Sequence, residues 1–220
     1  MLFAIVVCCT RPLQAQDEPL PKQSDSIYFL ERIDSLKAVY YNCRNIPQEY
    51  EIAFYTAVSH YPELKDYTIE IKPKFLHFTM AARPATRLFS NRNSRVYRIY
   101  TNVNKNSGGI LAATLTYNQK VGIIGHELGH VLDYTHKSLC QLINTGIGYM
   151  FVSYRRKMEK NTDLEAIRHG LGWQLYDYKD FLFNHSGVDR KYLKKISKVY
   201  LNEKEFKALL PNIQNQIIFN

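Results

Sequence analysis

The sequence predicts an α+β protein: a small mixed sheet of about three to four strands, packed on one central helix and followed by a mainly helical C-terminal part. Three observations predict it. Val121, Ile124, Leu128, Val131 and Leu132 recur at helical spacing in the middle of the chain. Tyr67, Ile69 and Ile71 alternate with Thr68, Glu70 and Lys72, at the period of a strand. Beyond Leu139, long stretches carry helix formers with few Gly or Pro residues. The apolar fraction of 45% is ordinary for a globular chain, and 220 residues can enclose a real core.

The central helix, Val121 to Tyr134, reads VGIIGHELGHVLDY. Residues i and i+4 share a helix face, so His126 and His130 can turn both imidazoles toward one metal ion. Glu127 lies beside them, within reach of a water on that ion. A helix carrying HExxH is the arrangement of two zinc ligands and a general base. In a chain of this composition the motif arises by accident on the order of one time in a hundred. Asn118 is the expected N-cap. Gly122, Gly125 and Gly129 each cost about 1 kcal/mol relative to Ala in a helix interior, so another backbone is expected to pack very close.

A third ligand is expected after the motif, because catalytic zinc takes three protein ligands and keeps one open position. Ser153 to Ile167 carries no Gly or Pro, and Gly170 is a natural stop. Glu159 and Asp163 are four residues apart on this predicted helix and share a face. One carboxylate to bind the metal and one to fix a ligand histidine is what such a site needs.

HExxH followed on a later helix by E-x-x-x-D resembles the gluzincins, the thermolysin-like zinc peptidases. The resemblance covers roughly 97–172. It implies a zincin-like fold, with His126, His130 and Glu159 as zinc ligands. It also implies Glu127 as the catalytic base and Asp163 as the partner of a ligand histidine. Glu165 and Asp163 remain rival ligands. His136, six residues after His130, fits a metzincin spacing, but that pattern wants Gly where Asp133 stands. The implied activity is zinc-dependent hydrolysis of a peptide or protein substrate, with an edge strand near the motif binding it in extended form. For the donor to the tetrahedral oxyanion, the expectation is His185 in the NHSG turn, ahead of His169 or a tyrosine. Two other readings stay open: a non-catalytic envelope module stabilised by zinc, and a zinc amidase acting on cell-wall linkages.

Other stretches fill in the organisation. Met1 to Gln16 pairs an apolar run with Leu13-Gln14-Ala15, like a secretory signal cut near Ala15. Its apolar run of about ten residues is short of the roughly 20 needed to span a bilayer. Lipidation at Cys8 or Cys9 is the less favoured reading. Export is therefore expected, with one domain over 17–220 and either a Cys43–Cys140 disulfide or two free thiols. Ser26 to Tyr41 is amphipathic, and Pro47 opens a second helix to about His60, a helix-end histidine. Phe75 to Ala82 and Val96 to Val103 are further strands, Arg83 to Arg95 an exposed loop, and Gly109 to Thr116 a short strand. Leu139 to Tyr154 is expected to form one packed helix, with Leu171 to Phe183 and Asp189 to Tyr200 following. Asn202 and Glu205 form a capping box before a last short helix. The net charge of +9 is spread along the chain without a nucleic-acid motif, so attraction to anionic surfaces is the milder inference and no nucleic-acid partner is expected.

Overall fold

The structure, a computed structural model, describes residues 26–85, 94–105, 110–185, 187–202 and 204–209. The signal-like segment and the polar leader lie outside the described residues. The N-terminal amphipathic stretch forms two short helices instead of one, α1 (Ser26–Leu30) and α2 (Ile33–Val39). Arg32 leaves the helical conformation between them, and its guanidinium lies 3.7 Å above the Tyr28 ring. Pro47 opens α3 (Gln48–Ser59), which buries Tyr50, Ala53, Phe54, Ala57 and Val58. His60 caps its C-terminal end, as the sequence implies.

The sheet has three strands: β1 (Thr68–Lys74), β2 (Met80–Pro84) and β3 (Val96–Asn102). Their order is β1-β3-β2, with β1 parallel and β2 antiparallel to the central β3. β2 is shorter than the expected strand and starts later; Phe75 is 76% exposed. Ile69, Ile71, Tyr97 and Ile99 fill the core. Glu70, expected on the solvent side of the alternation, is buried. Arg98 at 3.0 Å, Arg44 at 3.4 Å and Lys72 at 3.6 Å surround its carboxylate, which satisfies the charge in place of water. Arg95, expected in an exposed loop, is buried too and donates to the Lys137 carbonyl at 2.8 Å; residues 86–93 lie outside the described residues.

Among the described residues, no strand leads into the motif helix. Ala112–Thr114 is a single 3-10 turn instead. The helix α4 (Tyr117–Thr135) starts one turn earlier than the apolar stripe. Its N-cap is Thr116 rather than Asn118. The Thr116 hydroxyl accepts from the Gln119 amide, and the Gln119 side chain accepts from the Thr116 amide, a reciprocal capping box.

Helix α4 is nearly all buried and packs against α3, β2 and two later helices. After it, the expected single helix is broken into α5 (Leu139–Gly148) and α6 (Val152–Ala166) by a turn at Tyr149–Phe151. Gly146 and Gly148 weaken α5 near its end, and Phe151 is extended as it opens α6. A wide π-type turn over Ile167–Leu171 follows, with Gly170 at φ 77°, a conformation that suits glycine. The chain then resumes as α7 (Gly172–Asp180), and later as α8 (Arg190–Ile196) capped by Asp189.

The glycines of α4 answer the question the sequence raised. A Cβ at Gly122 would lie 2.2 Å from the Gln174 carbonyl oxygen of α7, and one at Gly129 3.1 Å from Thr162 of α6. Gly122 lets the backbones of α4 and α7 touch, and so brings α6 and α7 down over the motif. Residues 204–209 are helical, opened by the expected box: Asn202 and Glu205 exchange amide bonds of 3.0 and 2.8 Å. Cys43 is buried and Cys140 exposed; both are free thiols, so the two do not pair. Among the described residues, no helix is long and apolar enough to cross a membrane.

Candidate metal centre

His126 and His130 sit one turn apart on α4, and Glu159 reaches them from α6. Their ligand atoms all lie within 4.8 Å of one another, and all three residues are buried. Glu159 Oε2 stands 3.1 Å from His126 Nε2 and 3.5 Å from His130 Nε2. A tetrahedral ion with bonds of about 2.1 Å separates its ligands by roughly 3.4 Å, so these spacings suit a metal.

The opposite edges of the two rings decide which nitrogen is available. His126 Nδ1 donates to Asp163 Oδ1 at 2.9 Å. Thr162 Oγ1 donates to the Met158 carbonyl at 2.9 Å, so its oxygen accepts from His130 Nδ1 at 3.1 Å. Both imidazoles thus carry the Nδ1 proton and turn Nε2 toward Glu159. That is the tautomer a metal requires, fixed by partners behind the ligands. Two histidine nitrogens and one carboxylate oxygen suit a borderline ion such as zinc, and the donor set fits the group the motif implies.

Asp163 has no exposure to solvent, yet its charge is met on all sides. Lys179 of α7 lies 2.5 Å from Oδ2, and the Leu201 amide 3.5 Å away. Burial pushes the Asp163 carboxyl up, but Lys179 and His126 outweigh it and hold it below the usual carboxylate range. Burial also opposes a charge on His126; its bonds to Asp163 and Glu159 prevail and raise it to about 10. Burial likewise works against the Glu159 anion, and the charge of His130 with the bond to His126 more than offsets it, so its carboxyl lies well below the usual range. His126 thus stands between two carboxylates, Asp163 at 2.9 Å and Glu159 at 3.1 Å.

Glu127 faces the other way, toward the sheet. Its Oε2 accepts from the Ala82 amide of β2. It is 3% exposed, and burial lifts its carboxyl above the ordinary value against the pull of His130 and His126. Tyr134 stacks on His130 with ring centres 6.1 Å apart, and the Tyr149 hydroxyl lies 3.5 Å from His130 Nδ1.

The remaining candidates lie elsewhere. His136 caps the C-terminal end of α4 and is exposed. Glu165 pairs with Arg168 at 3.4 Å and His169 at 3.5 Å. His169 stacks on Tyr61 and bonds to the Glu165 carbonyl at 2.9 Å, a structural position. The side chain of His185, the expected oxyanion donor, lies outside what is described. Sequence reasoning missed Thr162, Lys179 and the Ala82 amide. Thr162 had a readable signal: it precedes Asp163, three residues after Glu159. Lys179 and Ala82 had none, because only the packing of α7 and β2 on α4 brings them in.

The fold and the cluster together define an α+β protein with a buried two-histidine, one-glutamate group able to hold a metal ion. The chain matches no protein-family model, no curated protein and no solved structure.

Proposed function

We propose that this chain is a zinc-dependent peptidase of zincin-like architecture, with His126, His130 and Glu159 as the zinc ligands and Glu127 as the general base. The observation that carries the reading is the convergence of both Nε2 atoms on Glu159 while both Nδ1 atoms are tied to oxygens. Zinc in this site would act as a Lewis acid, polarising a carbonyl and lowering the pKa of a water toward about 7. Glu127 would take a proton from the attacking water as the new C–O bond forms, then give it to the amine nitrogen as the C–N bond breaks. Burial raises its carboxyl above the ordinary carboxylate value, the direction that favours returning the proton. Asp163 and Thr162 hold the two imidazoles in the tautomer the ligands need.

The substrate would lie along β2. This strand ends the sheet on the side of α4, and its Ala82 amide turns to Glu127. An extended peptide added to that edge passes beside the base.

One observation favours a second reading, a zinc site that only stabilises the fold: His126, His130, Glu127 and Glu159 are all buried, with at most 8% exposed. Glu127→Gln separates the two. Gln keeps the acceptor for the Ala82 amide and leaves the ligands untouched. The variant should retain zinc and lose hydrolysis of a mixed fluorogenic peptide library by at least about 100-fold. A wild-type protein that cleaves nothing, and whose melting temperature collapses on zinc removal, would establish the stabilising role instead.

A further inference from the structure

The turn that separates α5 from α6 carries an apolar surface that the metal centre does not use. Met150 is 81%, Phe151 62% and Val152 52% exposed. Ile143 and Ile147, one turn apart on the outer face of α5, are 50% and 53% exposed. The helix turns Leu142 and Thr145 inward and these isoleucines outward. Scattered apolar residues are common on surfaces, but five large ones around a single turn are a patch.

Its charge surroundings say what covers it. From Tyr134 to Met158 there is no Asp or Glu; Lys137 is paired with Asp133 at 2.5 Å, which leaves Arg155, Arg156 and Lys157 as the basic side of the turn. Arg155 and Arg156 follow Val152 at i+3 and i+4, on the same side of α6. Arg156 and Lys157 are exposed. Exposed apolar side chains at a turn beside three consecutive cations, with Glu205 the acid near Arg156, suit the boundary between lipid headgroups and acyl chains. A protein partner would need acids facing those cations; an anionic bilayer supplies them everywhere and accepts Met and Phe at no fixed geometry.

We propose that the α5–α6 turn docks this chain on an anionic bilayer surface. Met150, Phe151 and Val152 enter the interface, Ile143 and Ile147 lie along it, and Arg155, Arg156 and Lys157 meet the headgroups. Tyr149, whose hydroxyl lies 3.5 Å from His130 Nδ1, is the first residue of the turn, so docking sets the metal centre close to the bilayer. The proposal does not depend on the peptidase reading.

The test is co-sedimentation of the full chain with vesicles of phosphatidylcholine containing about 30% phosphatidylglycerol, against phosphatidylcholine alone. Binding is expected on the anionic vesicles only, weakening with salt. Phe151→Ser should weaken it roughly tenfold or more, from the apolar area lost. R155Q/R156Q/K157Q should weaken it on the order of 100-fold, at about fivefold or 1 kcal/mol per cation. K191Q/K194Q/K195Q on α8 removes equal charge where no large apolar residue is exposed among the described residues, and should cost far less. Every variant keeps Met1 to Gln16, so differences between them report on the turn. Three results would overturn the proposal: no anionic binding, equal losses from the two charge variants, or a dimer in sedimentation velocity that Phe151→Ser dissolves.

Discussion

Replacing Lys179 with Met tests how the cluster is supported from behind. Lys179 and Asp163 are 2.5 Å apart, with side chains 8% and 0% exposed. Taking one partner from such a pair leaves a buried charge and costs about 3–5 kcal/mol. Met keeps the packing of the lysine stem but not its charge above the Tyr200 ring, 4.5 Å away, a contact of roughly 1–2 kcal/mol when desolvated. Against this, Asp163 keeps His126 at 2.9 Å and the Leu201 amide at 3.5 Å. The net expectation is a loss of about 3 kcal/mol, or roughly 6–12 °C in melting temperature for a chain of this size. Lys160→Met is the control. Its distance to Glu205 is 2.6 Å, almost the same, but the two side chains are 23% and 38% exposed, so solvent screens the pair and at most about 1 kcal/mol is expected. The assay is thermal unfolding of both variants in chelator, followed by circular dichroism. Equal shifts for the two lysines would refute the reasoning, since the buried pair, with its contact to Tyr200, is expected to lose about three times as much as the exposed one.

Further outcomes follow from the same geometry. Gly122→Ala should destabilise by about 3 kcal/mol or more in urea unfolding, because its Cβ would strike the Gln174 backbone, whereas Gly146→Ala, with nothing within 4 Å, should stabilise by about 0.5–1 kcal/mol. Thr162→Val removes the acceptor for His130 Nδ1 at nearly constant volume, so zinc affinity by competition titration should fall roughly 10–100-fold. In the metal-free chain, His126 is raised from 6.5 to about 10. Its stabilisation is then complete below pH 6.5 and lost as pH climbs toward 10, by up to about 1.4 kcal/mol per unit. Urea midpoints in chelator should fall between pH 7 and 9, while zinc-loaded protein should not follow, because zinc competes with the proton for Nε2.

How much of this was legible in the sequence depends on the range of the interaction. HELGH places His126, Glu127 and His130 within about one helical turn, so local spacing is enough to bring them together. The three glycines of α4 announced a close neighbour, but only the fold shows it to be α7 at Gly122 and α6 at Gly129. Glu159 and Asp163 were readable as a pair because they too share one helix face. Lys179 was not, since it arrives from the next helix after the turn at Gly170. The misread boundaries share one cause. Thr116 displaced Asn118 through a bond to Gln119, the first helix ended in a turn where the Arg32 amide bonds the Phe29 carbonyl, and Tyr149–Phe151 split α5 from α6. Each is a local bond or turn that apolar periodicity does not register. Glu70 reversed its expected exposure because Arg44 and Arg98, far along the chain, meet its charge beside Lys72, and Arg95 is buried where the distant Lys137 carbonyl accepts its guanidinium.

The most direct test is the metal content of the purified full chain, loaded with zinc and dialysed, beside Glu159→Ala treated identically. Mass spectrometry of the native protein should find one zinc per chain in the wild type. In Glu159→Ala, which removes one of the three proposed ligands, zinc should be lost on dialysis. A wild type that holds no ion, or a variant that holds zinc as tightly as the wild type, would contradict the account.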